Sequence, residues 1–136
     1  MRCYSLSYKD GLNPPGNQRM WRITIASSAK GDIGLLTHEV RHVLHWYAFG
    51  LLTVLLGIML GMMVAPELYG VCAAAPWTYH VLYRIKALRI MFELACYKAQ
   101  LRAGYEPGRP YTNAEFAIKA MVGHGMDEDD ARKALE

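Results

Sequence analysis

Between Arg41 and Arg84 the chain carries a single formally charged residue, Glu67. Inside that interval, Trp46 to Pro66 reads WYAFGLLTVLLGIMLGMMVAP, with no charge at all. About 20 helical residues, at 1.5 Å each, cover the roughly 30 Å hydrocarbon layer of a bilayer. The run therefore either crosses lipid as a helix, or is a helix buried in a small core or in the seam of a larger assembly. Gly50, Gly57 and Gly61 each lower helix propensity in water by about 1 kcal/mol relative to alanine, a penalty that matters less in lipid. Gly57 and Gly61 form a G-x-x-x-G spacing, which permits close helix approach. Trp46 and Tyr47 at one end and Tyr69 beyond the other are placed as interfacial aromatics. Lys30 and Arg41 precede the run and Arg84, Lys86 and Arg89 follow it, so charge does not orient a single span. The expected location is a membrane or a large assembly, with the cytoplasm as the alternative.

Just ahead of the run lies His38-Glu39-Val40-Arg41-His42, an H-E-x-x-H segment. On a helix, residues four apart share a face, so the two imidazoles can grip one Zn²⁺ ion at about 2.0–2.1 Å each. Glu39, one position along, lies beside the metal and can act as general base toward a water attacking a carbonyl. Leu35, Leu36, Val43 and Leu44 supply the apolar flanks of a helix packed into a core. Arg41 departs from the longer form of the motif, which has an uncharged residue there. The competing reading is an amphipathic helix whose histidines happen to fall four apart.

Composition narrows the classes. At 136 residues the chain is one domain with a modest core. A net charge of +3, without a basic patch interleaved with aromatics, gives no case for nucleic acid. Hydrophobic residues make up 53%, eight of them methionines, which argues against a lone soluble monomer and for an oligomer or a subunit of a larger complex. Cys3, Cys72 and Cys96 are widely spaced and odd in number, so free thiols are expected. The first ten residues lack an apolar signal core, and no signal peptide is expected.

The pattern predicts a mainly α fold with a short β element. Residues 1–19, with Gly11 and Asn13-Pro14-Pro15-Gly16-Asn17, are turn-rich and read as an extended arm or loop. Met20 to Ala26 alternates, with Trp21, Ile23 and Ile25 on one side, as a half-buried strand. Asp32 is placed to cap a helix from Ile33 that carries the histidines and can run on into the apolar stretch until Pro66. Trp77 to Ala103 reads as a second long helix, with Leu82, Ile85, Leu88 and Met91 at spacing three and Gly104 as its stop. Glu106 to Pro110 reads as a rigid linker. Asn113 caps a short helix to about Val122, and Asp127 starts a last charged helix. The expected division is an arm at 1–19, a core at 20–104 that includes the apolar segment 46–66, and small helices at 105–136.

Glu93, in Phe92-Glu93-Leu94-Ala95-Cys96-Tyr97, adds a further signature. With it the chain resembles the gluzincin-type metallopeptidases, above all their minimal bacterial and phage-type versions. There H-E-x-x-H on one helix is followed by a glutamate on a later helix, often within E-x-x-A-Y. Here Ala95 and Tyr97 are displaced by one place from the commonest form. The resemblance covers Met20 to about Gly104. It implies zinc held by His38, His42 and Glu93, Glu39 as base, and a strand at 20–26 whose edge could present a peptide substrate. Tyr97, one turn beyond Glu93, is a candidate for stabilising the oxyanion. Glu93 could instead pair with Arg89 or Lys86 on a helix surface. His45, seven residues after His38, is the rival ligand and otherwise lines the pocket or caps the apolar helix. His80 and His124 lack spacing support and read as structural or exposed, and Tyr105 and Tyr111 are no better placed than Tyr97.

Two functions follow as expectations. One is a zinc-dependent peptidase acting on a peptide or peptidoglycan-type cross-link, attached to a membrane or assembly. The other is a non-catalytic membrane-inserting subunit, of virion or channel type, whose apolar helix is the working part.

Overall fold

The computed structural model describes residues 3–104 and 111–136; Tyr105 and the linker expected at Glu106 to Pro110 lie outside them. The protein is mainly helical with one small sheet, as the sequence pattern predicts.

The segment 1–19 is not an extended arm. It supplies two strands, β1 (Ser5–Lys9) and β2 (Gly16–Arg19), which flank β3 (Arg22–Ala26) in the order β1-β3-β2. β3 runs parallel to β1, with Leu6 opposite Ile23, and antiparallel to β2, with Gly16 opposite Ile25. The turn residues between β1 and β2 reverse the chain instead of extending it, helped by Gly11 at φ 66°. Alternation in β3 buries Ile23 and Ile25, while Trp21 lies just outside the strand, its ring 5.8 Å from that of Trp46. Because β3 is central, both of its edges are paired, and the edge strand beside the histidines is β2.

Helix α1 spans Ile33–Met63 without interruption, so the apolar helix expected between the two ligand helices is the continuation of the histidine helix itself. Asp32 caps it, accepting from the Leu35 amide at 2.9 Å and from the Thr112 hydroxyl at 2.7 Å. The first turns of α1 pack Leu35 and Val43 onto Ile23 and Ile25. Its later turns pack on a 3₁₀ stretch at Pro66–Ala74 and on α2 (Ala75–Leu82). Gly57 and Gly61 allow that approach: a Cβ at 57 would lie 2.6 Å from Cys72 Sγ, and one at 61 would lie 2.5 Å from the Tyr69 ring.

The single helix expected over 77–103 is two helices, α2 and α3 (Lys86–Arg102), with extended backbone at Ile85. The reason is reach. Tyr79 and Glu93, fourteen positions apart, would be separated by about 21 Å on one straight helix. Both touch His42. The spacing-three residues Ile85 and Met91 are more than half exposed, and α3 instead buries Phe92, Glu93, Cys96, Tyr97 and Gln100. Gly104 takes φ 89° just past the end of α3, as a C-terminal stop requires. Asn113 and Asp127 cap α4 (Ala114–Gly123) and α5 (Glu128–Leu135). A second core cluster, with Tyr97, Ile118, Met121 and Ala131, joins α3 to α4 and α5.

Candidate metal centre

α1 and α3 face each other between the two clusters, and their polar residues meet there. His38, Glu39, His42 and Glu93 are all buried, the last 3% exposed. His38 Nε2 lies 3.1 Å from His42 Nε2. Glu93 Oε2 lies 3.3 Å from His38 Nε2, and its Oε1 lies 3.4 Å from His42 Nε2. Four donors arranged tetrahedrally at 2.0–2.1 Å around a zinc ion stand ~3.3 Å apart along each edge. The three separations match one face of such a tetrahedron. Glu93 is therefore not a surface residue paired with Arg89 or Lys86: the buried face of α3 carries it into the site.

Cys96, one turn after Glu93, belongs to the same polar face. His38, His42 and Cys96 form a buried group that could bind a metal ion, with donor atoms within 4.8 Å of one another. The two donor sets use His42 differently. Cys96 Sγ approaches Nδ1, at 3.5 Å, whereas His38 and Glu93 meet Nε2. Nδ1 is also hydrogen bonded to the Tyr79 hydroxyl at 2.7 Å. His38 Nδ1 and Gln100 Oε1 are buried without a hydrogen-bond partner, and the Gln100 side chain favours the charged form of His38. Tyr83 donates to Glu93 Oε1.

Burial and these contacts set the charges. Burial depresses the His38 pKa, with Glu93 opposing. Burial also disfavours charge on His42, but Cys96 and Glu93 hold its pKa well above the ordinary imidazole value. Burial would raise Glu93, yet its hydrogen bonds to His38 and His42 hold it far below the usual carboxylate range. Glu39 lacks such partners, and burial pushes it up to about 7.

The donors open onto a cleft of about 560 Å³ bounded by the Asn13–Gln18 segment on one side and α4 on the other. The Glu39 carboxylate lies against Gly16 of β2, where a Cβ would approach Oε1 to 2.3 Å. Tyr97 lines the cleft with its ring edge-on to His38, centroids 4.4 Å apart. His45 is not among the cleft residues; it packs 5.3 Å from the Phe92 ring and 6.2 Å from that of Tyr79. Tyr111 packs on Phe116 at 5.5 Å.

Several site residues escaped the sequence reading. His124, at the end of α4, lines the cleft with Nε2 3.7 Å from Glu93 Oε2, and His80 lines it from α2. No spacing could have revealed them, because loops bring them in. Cys96 and Gln100 did leave a signal: with Glu93 and Tyr97 they recur at helical spacing on one face of α3. The fold and site together define a mainly helical protein with a small sheet, a buried group that could bind a metal ion and, among the described residues, one helix long and apolar enough to cross a membrane, a property that the core helix of a soluble protein can share. Compared with protein families, curated proteins and solved structures, the chain matches none.

Proposed function

We propose that the protein is a zinc-dependent metallopeptidase of minimal gluzincin type, with His38, His42 and Glu93 as ligands. The observation that carries this reading is the triangle of Nε2, Nε2 and carboxylate oxygens at 3.1–3.4 Å, opening onto a cleft. Zinc held there supplies Lewis acidity, enough to make water a nucleophile near neutral pH. Glu39 takes the proton from the attacking water and passes it to the leaving amine. Tyr97 and His124 line the cleft on the Glu93 side and can donate to the developing oxyanion. Substrates are peptide or peptidoglycan-type amides laid along β2, whose edge is the one beside the cleft. The test is metal analysis with activity: wild type carries one zinc per chain and cleaves, and Glu39→Gln keeps the zinc and does not cleave. A chain that holds no zinc, or a Glu39→Gln variant as active as wild type, refutes the reading.

A second reading is favoured by the apolar surface: Leu51, Leu52, Leu55, Met62 and Met63 are each more than half exposed. On that reading the chain is a membrane-inserting or assembly subunit, and the buried donors are a structural remnant. Folding that is indifferent to chelator, together with the absence of zinc, would favour it.

A further inference from the structure

Trp46 to Pro76 forms an antiparallel hairpin. The outgoing arm is the later part of α1, and the returning arm is the 3₁₀ stretch, with α2 starting at its base. Facing pairs run in opposite order along it: Gly61 with Tyr69, Gly57 with Cys72, Gly50 with Ala75, and Trp46 with Pro76. A single span would place its two flanks on opposite sides of a bilayer. A hairpin returns both flanks to one side.

Charge follows that geometry. All fifteen Lys and Arg residues lie outside 42–83, and the hairpin's one charge, Glu67, sits at its tip. Trp46 to Met63 rises about 27 Å, close to a hydrocarbon layer of roughly 30 Å. Aromatic residues gather at the base. Trp46 donates to the Pro76 carbonyl at 2.9 Å next to Trp77, and its ring adjoins those of Tyr47 and Trp21. Above them the Thr53 hydroxyl donates to the Phe49 carbonyl at 2.8 Å and accepts from the Thr78 hydroxyl of α2 at 2.8 Å, so it is satisfied without water. Exposed apolar side chains occur on both arms, Leu51, Leu55 and Met59 on one and Tyr69 on the other, with Val64 near the tip and Trp77 at the base. A second copy would cover one face; lipid covers them all.

We infer that residues 46–76 insert into a lipid bilayer as a helical hairpin from one side, with both flanks and the metal-site domain, to which Tyr79 and His80 of α2 belong, on the positively charged, cytoplasmic face. The inference does not depend on catalysis, and its test reads no metal. The full chain is expressed in a bacterial host with Cys3→Ser and Cys72→Ala, leaving Cys96, which is fully buried. Lys30→Cys, Glu67→Cys and Arg84→Cys are then introduced singly. Membranes are prepared inside-out and right-side-out and treated with a membrane-impermeant maleimide. The expected result is a chain that resists alkaline extraction, labels at 30 and 84 only in inside-out vesicles, and does not label at 67 in those vesicles. Labelling of 30 and 84 from opposite sides overturns the hairpin. A chain found in the soluble fraction as a defined oligomer, with 67 labelled as readily as 30, overturns the lipid assignment in favour of a second copy. Cys96 unlabelled until denaturation reports that each variant is folded. Leu55→Lys with Met59→Lys should lower the membrane-bound amount at least tenfold, and an unchanged amount also overturns the inference.

Discussion

Tyr79 of α2 is hydrogen bonded to His42 of α1 at Nδ1, 2.7 Å away, the ring nitrogen opposite the one that meets His38 and Glu93. With the proton on Nδ1 and the tyrosine oxygen accepting it, Nε2 keeps its lone pair for a metal. Tyr79→Phe preserves the ring packing and removes this tie. Zinc affinity, measured by competition with a chromogenic chelator, should fall about 10- to 100-fold with the thermal midpoint of the metal-free protein little changed. An unchanged affinity would mean that Tyr79 serves packing alone.

The two donor sets that share His42 make opposite forecasts. If Glu93 completes the site through Nε2, Glu93→Gln should weaken zinc binding about a hundredfold or more, and Cys96→Ala should change it only a few-fold. Cys96 is fully buried, so its replacement leaves a small cavity that costs about 1 kcal/mol of stability without touching the metal. Equilibrium dialysis of the two variants decides between the sets. Zinc lost from Cys96→Ala and retained by Glu93→Gln would move the ion to the Nδ1 side of the ring.

Gly16 fixes where the base can stand. A Cβ there would come within 2.3 Å of Glu39 Oε1 and 3.0 Å of its carboxyl carbon, so Gly16→Ala must swing the carboxylate away from β2. A misplaced general base forfeits much of a 10²- to 10⁴-fold contribution. The expected signature is a kcat reduced about tenfold or more with zinc content intact, read by steady-state hydrolysis and metal analysis on the same sample. A Gly16→Ala enzyme with wild-type kcat would show that Glu39 is not the base, or that the strand yields.

The legible parts of this molecule are those governed by local rules. Asp32, Asn113 and Asp127 could be read as helix caps, and Ile23 and Ile25 as the inward side of a strand, because capping and alternation involve neighbours in sequence. His38 and His42 share a face for the same reason. The break at Tyr83 to Ile85 was not readable: no glycine or proline marks it, and it arises from the demand that Tyr79 and Glu93 reach one imidazole. β1 and β2 were hidden because their turn residues serve a strand connection as well as they serve an arm. His124 joins Glu93 only through the packing of α4 on α3, a relation with no trace in spacing.

Glu39 sets a balance between stability and function that pH should expose. Glu39 is 5% exposed, and burial raises its pKa from 4.5 to about 7. A carboxyl raised on folding binds its proton more tightly in the native state than in the unfolded one. Its contribution is therefore fully present below about pH 4.5 and is lost as pH rises through 7, where folding must accommodate a desolvated charge. The difference amounts to about 3 kcal/mol. In chelator, where no cation offsets that charge, Glu39→Gln should match wild type in stability near pH 5 and exceed it near pH 8. Urea unfolding at the two pH values measures this directly. Parallel stability curves for the two proteins from pH 5 to pH 8 would mean that Glu39 ionises as freely in the folded chain as in the unfolded one, and that the cleft is wetter than its burial implies.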